Sequence, residues 1–333
     1  MFLGRHLVEV ALGRGDDVTL FTRGRTNPDL FPEARRIVGD RDGDLSGLAR
    51  GDWDAVVDTS GYFPRVVGAS ADRLAGRVGH YTFVSSGSVY ADTSRAGVDE
   101  RALVHEFARD APEELSSPEL YGGHKAACEG VVEEVLGGRA LSVRAGLIVG
   151  PWDTTNRFTY WVTRIAAGGE VLAPEPRTQP VQFIDARDLC EWILRMAEEG
   201  RGGVFNATGP ERPYTLEGAL DGIREAVGSD ATFTWVDERF LVDAGVEPFQ
   251  DLPLWLAPAT NADFAGFLAL DVSHAVAAGL RFRPLEETVL WTLEWARTSS
   301  TPEKTAGVAL SPAGIDAKRE VELLRAWRTR AAA

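Results

Sequence analysis

The sequence predicts an α/β protein built on a doubly wound parallel sheet, and three observations predict it. Short β-branched runs alternate with amphipathic helical stretches from residue 1 to about 150, the pattern of successive βαβ units. An apolar strand ends in a serine cluster, Phe83-Val-Ser-Ser-Gly-Ser-Val-Tyr90, at the carboxyl edge where open α/β sheets gather ligands. Tyr121 and Lys125 stand four apart in a helical stretch, a spacing that puts both side chains on one face.

Strands are expected at 18–21, 36–38, 55–58, 81–85 and 141–149. Between them lie a helix over 5–12, closed by Gly13 and Gly15, and another over 64–74. The second opens on Pro64, whose missing N–H costs nothing at a helix start. The chain opens directly on what reads as the first crossover helix, with no hydrophobic strand before it. The first strand and most of a glycine-rich loop are therefore expected to be missing, through a truncated or misassigned start. In the usual strand order that strand is central, and the ladders flanking it would be left without a partner. After Gly150-Pro151 the pattern loosens into Gly/Pro-punctuated loops, with a strand at 180–184, helices near 187–199 and 214–227, and a strand at 232–236. The stretch 299–312 reads as a linker before a final helix near 317–330.

With 333 residues, 44% hydrophobic and 26% charged, the chain has apolar material for a substantial core in one large domain or two. Its 35 Lys+Arg against 50 Asp+Glu give a net charge of -15, which repels phosphate backbones and anionic lipids. Neither nucleic acid nor membrane is expected as a partner. Cys128 and Cys190 each lie in a helical stretch and suit neither a disulfide framework nor a metal site. The histidines at 6, 80, 105, 124 and 274 show no paired-ligand spacing, so no metal is expected. The opening MFLGRHLVEVAL is broken by Arg5, His6 and Glu9, unlike a signal peptide, and no run approaches ~18 apolar residues. A cytoplasmic setting is expected.

The Tyr-x-x-x-Lys pair has a physical logic. For Tyr121 to act as a base near neutrality its pKa must fall from about 10 to about 7, which takes about 4 kcal/mol. An ammonium ~4 Å away at an effective dielectric of about 20 supplies roughly that much. The strand-end hydroxyls offer hydrogen bonds to a substrate oxygen; Ser85 and Ser88 are alternatives to Ser86. The strand-end Ser-Ser-x-x-Val-Tyr and the Tyr-Gly-x-x-Lys motif resemble those of the extended short-chain dehydrogenases/reductases, of the NAD-dependent epimerase/dehydratase kind. Further matches run through Arg144-Ala-Gly-Leu-Ile-Val-Gly-Pro151, Val181-Gln-Phe-Ile-Asp-Ala-Arg-Asp-Leu189 and Val204-Phe-Asn-Ala-Thr-Gly-Pro210, covering about residues 2–300.

The resemblance implies a Rossmann-like NAD(P)-binding domain over 1–150, a smaller mixed α/β substrate-binding region over 151–298, and a linker with C-terminal helix over 299–333. It implies a triad in which Ser86 orients the substrate oxygen, Tyr121 moves its proton, and Lys125 lowers the tyrosine pKa while holding the nicotinamide ribose. The family's glycine-rich fingerprint survives only as its tail, Phe2-Leu3-Gly4. At the end of the second strand, where NAD-users of the family place an acidic residue, this chain has Thr22-Arg-Gly-Arg25. Arg23 and Arg25 suit a 2′-phosphate, so NADP is expected ahead of NAD, although a solvated turn also accounts for both. Asp40-Arg41 resembles the adenine-contacting pair, and Ser60-Gly61 the segment that passes beneath the cofactor.

For the substrate the sequence offers one cluster, Asn156, Arg157, Tyr160 and Trp161, whose polar and aromatic groups suit a small polar, sugar-like ligand. His124 reads as an exposed helix histidine, and Trp291 and Trp295, at i and i+4, as helix core. The activity implied is hydride transfer at a carbinol or carbonyl carbon, by reduction, epimerisation or dehydration. The rivals are a non-catalytic dinucleotide sensor on the same fold and an RNA-associated protein. Relatives that pair through two helices per subunit make a homodimer the expected assembly.

Overall fold

The computed structural model describes residues 2–108, 111–299 and 312–331. Among them run strands β1 Thr19–Thr22, β2 Arg35–Val38, β3 Trp53–Asp58, β4 Val78–Ser86, β5 Ala140–Ala145, β6 Ile148–Val149, β7 Glu170–Pro174, β8 Pro180–Val181, β9 Ile184–Asp185, β10 Gly203–Ala207, β11 Tyr214–Thr215 and β12 Thr232–Val236. The helices are α1 Leu3–Arg14, α2 Pro64–Leu74, α3 Pro118–Leu136, α4 Arg157–Ala166, α5 Ala186–Glu198, α6 Leu216–Val227, α7 Glu238–Asp243, α8 Ser273–Ala277, α9 Leu285–Thr298 and α10 Ala317–Ala331.

The period-2 alternation of the central strands decides how the layers form. On β4, Tyr81 and Phe83 pack with Val67 and Ala71 of α2 and Cys128 and Val132 of α3. Val84, the next residue and so on the opposite face, joins Leu3 and Leu7 of α1 and Ile193 and Met196 of α5. A parallel sheet is thus covered by helices on both faces, with strand order β10-β5-β4-β3. Each fully buried Leu, Val or Phe contributes about 1.5–3 kcal/mol.

The second parallel pair, β1 with β2, forms its own two-stranded sheet. Among the described residues the other edge of β1 and the other edge of β3 carry no ladder.

Beyond residue 150, α5 packs on α1 and β10 pairs in parallel with β5 as an outer strand of the main sheet. The strand expected over 141–149 is two. β5 stays in the sheet, the chain then turns at Gly146, where a Cβ would meet Thr208 Oγ1 at 2.3 Å, and β6 pairs with β9. The remainder of 151–298 builds a separate apolar core around Trp161, Trp255 and Leu220. The expected linker falls mostly at 300–311, outside the described residues.

Candidate active site

α3 brings the tyrosine and the lysine to the end of β4. Ser117 caps the helix by accepting from Leu120 N at 3.3 Å, and Pro118 follows as its first residue. At Gly122 a Cβ would lie 1.9 Å from the Ser88 carbonyl oxygen, so only glycine lets the helix approach the serine turn this closely. Ser86 caps that turn, accepting from Ser88 N at 3.1 Å and donating to Ser88 Oγ at 3.1 Å.

Lys125 is buried, and its ammonium donates to the carbonyls of Gly61 at 2.8 Å and Val84 at 2.7 Å. It also lies 4.7 Å from the Phe83 ring centroid and 5.3 Å from that of Tyr62. Burial pushes the Tyr121 hydroxyl above its ordinary pKa, and the Ser86 hydroxyl opposes the shift by hydrogen bonding. The opposing influence on Tyr121 is Ser86, while the Lys125 charge acts on Tyr62, whose own pKa burial raises. Tyr62, whose ring centroid is 6.5 Å from that of Tyr121, was missed by sequence reading, because only the fold brings the β3–α2 loop beside α3.

The cofactor candidates cluster around the ends of β1 and β3. Gly4, in the first turn of α1, approaches Thr59 so that a Cβ would sit 3.3 Å from its Oγ1, with Phe2 at the N-cap and Leu3 buried. Gly61 is tightly enclosed; a Cβ there would meet Phe83 and Val67 at 2.6 Å. Ser60 is exposed beside it. Thr22 Oγ1 accepts from Gly24 N at 3.3 Å, and Arg23 and Arg25 are exposed, without ion pairs among the described residues. Asp40 and Arg41 already have partners. Asp40 accepts from Asp42 N at 3.2 Å, and Arg41 grips the buried Asp58 with both terminal nitrogens at 2.6 Å. The Arg41 guanidinium opposes the desolvation of the Asp58 carboxyl and holds its pKa below the ordinary value.

The substrate cluster divides. Trp161 is fully buried and donates to the Pro253 carbonyl, and Tyr160 is 7% exposed within the same core. Both pack into the apolar core formed around α4. Asn156 donates to the Ala313 carbonyl at 2.7 Å. Arg157 lies over the Phe249 ring at 4.5 Å, and its Nε is buried without a partner. His124 differs from the exposed helix histidine expected. It is buried, bonded to the Pro112 carbonyl at 2.9 Å and edged by the Phe63 and Phe107 rings. Both cysteines are free and buried, and among the described residues no group of acidic, His or Cys side chains is arranged to hold a metal. Likewise, none of their helices is long and apolar enough to cross a membrane.

Residues 65–208 match the sequence profile of the NAD dependent epimerase/dehydratase family. This stretch is similar to an NAD-dependent epimerase/dehydratase domain. The epimerase/dehydratase match holds Ser86, Tyr121 and Lys125 and begins after Thr22, Arg23, Arg41 and Gly61. The whole fold has neighbours among solved structures. A putative epimerase from Burkholderia cenocepacia J2315 superposes with a TM-score of 0.66 at 18% identity, covering 90% of this chain and 96% of that one. The Bordetella bronchiseptica enzyme WbmG, in complex with NAD and UDP, gives 0.64 at 17% identity over 93% and 96%. The UDP-glucuronic acid 4-epimerase from Bacillus cereus, in complex with NAD, gives 0.61 at 17% over 89% and 96%. Among curated proteins, the chloroplast stem-loop binding protein of 41 kDa b from Arabidopsis thaliana is 23% identical over 250 residues. That match covers 68% of this chain and spans 61% of that relative's length.

Proposed function

We propose that the chain is an NAD(P)-dependent epimerase/dehydratase or reductase of the short-chain dehydrogenase type, acting at a carbinol or carbonyl carbon of a small polar, sugar-like substrate. The observation that carries this reading is the meeting of Ser86, at the carboxyl end of β4, with Tyr121 on α3, beside a lysine anchored to both the strand and the Gly61 loop.

The residues fit a nicotinamide dinucleotide at several points. The start of α1 lies against the Thr59-Ser60-Gly61 segment, and the exposed Arg23 and Arg25 follow β1. The bound dinucleotide supplies the acceptance and return of hydride. Ser86 holds the substrate oxygen through its hydroxyl, and Tyr121 gives or takes the proton at that oxygen. Lys125 fixes the helix against Val84 and Gly61, which keeps the tyrosine and the loop in register. Arg23 and Arg25 favour NADP over NAD through a 2′-phosphate. Arg157, with one nitrogen unsatisfied, suits a carboxylate or phosphate on the substrate. A cleft of about 410 Å³ lined by Thr178, Tyr214, Leu270 and Asp271 adjoins the serine turn, since a Cβ on Gly87 would lie 3.0 Å from Leu270. The WbmG structure holds NAD and UDP, and UDP-sugars are the first substrates to try.

The test is turnover of UDP-sugars with NADP⁺ or NAD⁺, comparing the wild type with Tyr121→Phe. Product formed by the wild type and abolished in the variant is expected. A variant that turns over unchanged contradicts the roles assigned. A second reading, stem-loop binding, is favoured by the description of the Arabidopsis relative and opposed by the net charge of -15. Tight retention of a stem-loop RNA in low-salt filter binding is the result that supports it.

A further inference from the structure

On the sheet face opposite α3, the first turns of α1 meet α9 and the loop after β6 around a cavity of about 290 Å³. Its walls include Trp152, Trp291, Trp295 and His6, with the carboxylates Glu9 and Glu294. The i, i+4 tryptophans of α9 are therefore cavity walls as well as packing groups. Two features show that this arrangement is held against local preference. Trp152 sits at φ 71, a left-handed conformation that is uncommon for a bulky residue and is kept only where the surroundings enforce it. Gly150, at φ 133, approaches Trp291 so closely that a Cβ would lie 2.6 Å from the indole.

The charges around the rings decide what such a cavity takes. The Arg5 guanidinium stacks on Trp152 at 3.7 Å, and the Arg187 guanidinium on Trp291 at 3.8 Å. Neither arginine lines the cavity, so each indole is backed by a cation from elsewhere. Among the described residues Trp295 carries no cation, and its indole Nε1 is buried without a partner. Glu9 is committed to Arg5 at 3.2 Å and to His6 at 2.9 Å. Glu294 is exposed and makes no ion pair among the described residues. The cavity therefore offers one ring that carries no cation, though it packs on Trp152 at 5.6 Å, and one unpaired carboxylate, with a buried, partnerless indole N–H beside them. A ring and a carboxylate together attract an organic cation, and an indole N–H asks for an acceptor oxygen. An anionic ligand would meet two carboxylates without a lining Arg or Lys.

We propose that this cavity binds a small alkylated ammonium that also carries an acceptor oxygen, with the cation beside Trp295 and Glu294. It is a binding site separate from Ser86, Tyr121 and Lys125, and it does not rest on the catalytic reading. The probe is choline, titrated calorimetrically into the full chain, with 3,3-dimethyl-1-butanol as its uncharged isostere. Saturable choline binding is expected, weakened about tenfold or more for the isostere and in Glu294→Gln. Glu294 is exposed and unpaired, so that variant keeps the fold. Trp295→Phe, which keeps a ring and removes the N–H, is expected to weaken choline severalfold while affecting tetramethylammonium, which has no oxygen, much less. Three results overturn the proposal: no saturable binding of choline, equal binding of the isostere, or unchanged affinity in Glu294→Gln.

Discussion

The Lys125 ammonium donates to the Val84 carbonyl at 2.7 Å, two residues before the serine that ends the strand. With its second bond, to Gly61 at 2.8 Å, this ties α3 to β4 and to the loop after β3. Lys125→Met leaves both carbonyls in a buried setting without a donor, at roughly 1–3 kcal/mol each. The variant is expected to unfold at lower urea than the wild type and to bind dinucleotide more weakly. Urea unfolding followed by tryptophan fluorescence checks the first expectation, and calorimetry the second.

Tyr121→Phe removes one hydroxyl from a ring whose packing stays in place. Stability should change little, while a lost general acid lowers turnover by about 10²–10⁴-fold. Parallel measurement of turnover and of dinucleotide affinity separates the two, because affinity is expected to persist.

Arg41 and Asp58 are joined by two bonds at 2.6 Å, with Asp58 buried. Asp58→Asn leaves the guanidinium facing a neutral amide, an expected loss of about 3 kcal/mol or more. The Asp58 pKa is depressed in the folded state, so its contribution is present above the unfolded value and is lost as pH falls below about 4. Acid unfolding of the wild type should therefore be steeper than that of the variant.

Asp153 has the opposite sign. Burial pushes its carboxyl up to about 6, against the bonds it accepts from Thr155 N and Oγ1 at 2.9 Å. A folded pKa above the unfolded one makes the contribution fullest below about 4 and lost as pH rises through about 6. The rise from 3.8 to about 6 corresponds to ~3 kcal/mol. Asp153→Asn should remove that slope, so that its stability relative to the wild type improves between pH 4 and pH 7, as read by urea titrations at both values.

What the sequence made legible was local. The Tyr121 and Lys125 spacing states a shared helix face, and the apolar run into Ser85-Ser86 states a strand end. The strand over 232–236 and the proline-opened helix over 64–74 follow from the same short-range rules. What it hid depended on partners distant in the chain. Arg41 meets Asp58 only because the segments after β2 and β3 run together at the carboxyl edge of the sheet. His124 is covered by Phe63 and Phe107 from two other segments. Polar and aromatic neighbours in 156–161 suggested a pocket, but at helical spacing Tyr160 and Trp161 turned inward.

Arg23 and Arg25 bear on cofactor choice. If their charges hold a 2′-phosphate, Arg23→Ala with Arg25→Ala should weaken NADP⁺ by about tenfold or more and leave NAD⁺ nearly unchanged. Equal loss for both dinucleotides would place the arginines elsewhere.

The central claim, that this chain works on a nicotinamide dinucleotide, is met most directly by calorimetric titration of the purified 333-residue protein with NADP⁺ and then NAD⁺. The account predicts saturable binding at one site per chain, tighter for NADP⁺. Absence of binding by either dinucleotide would contradict it.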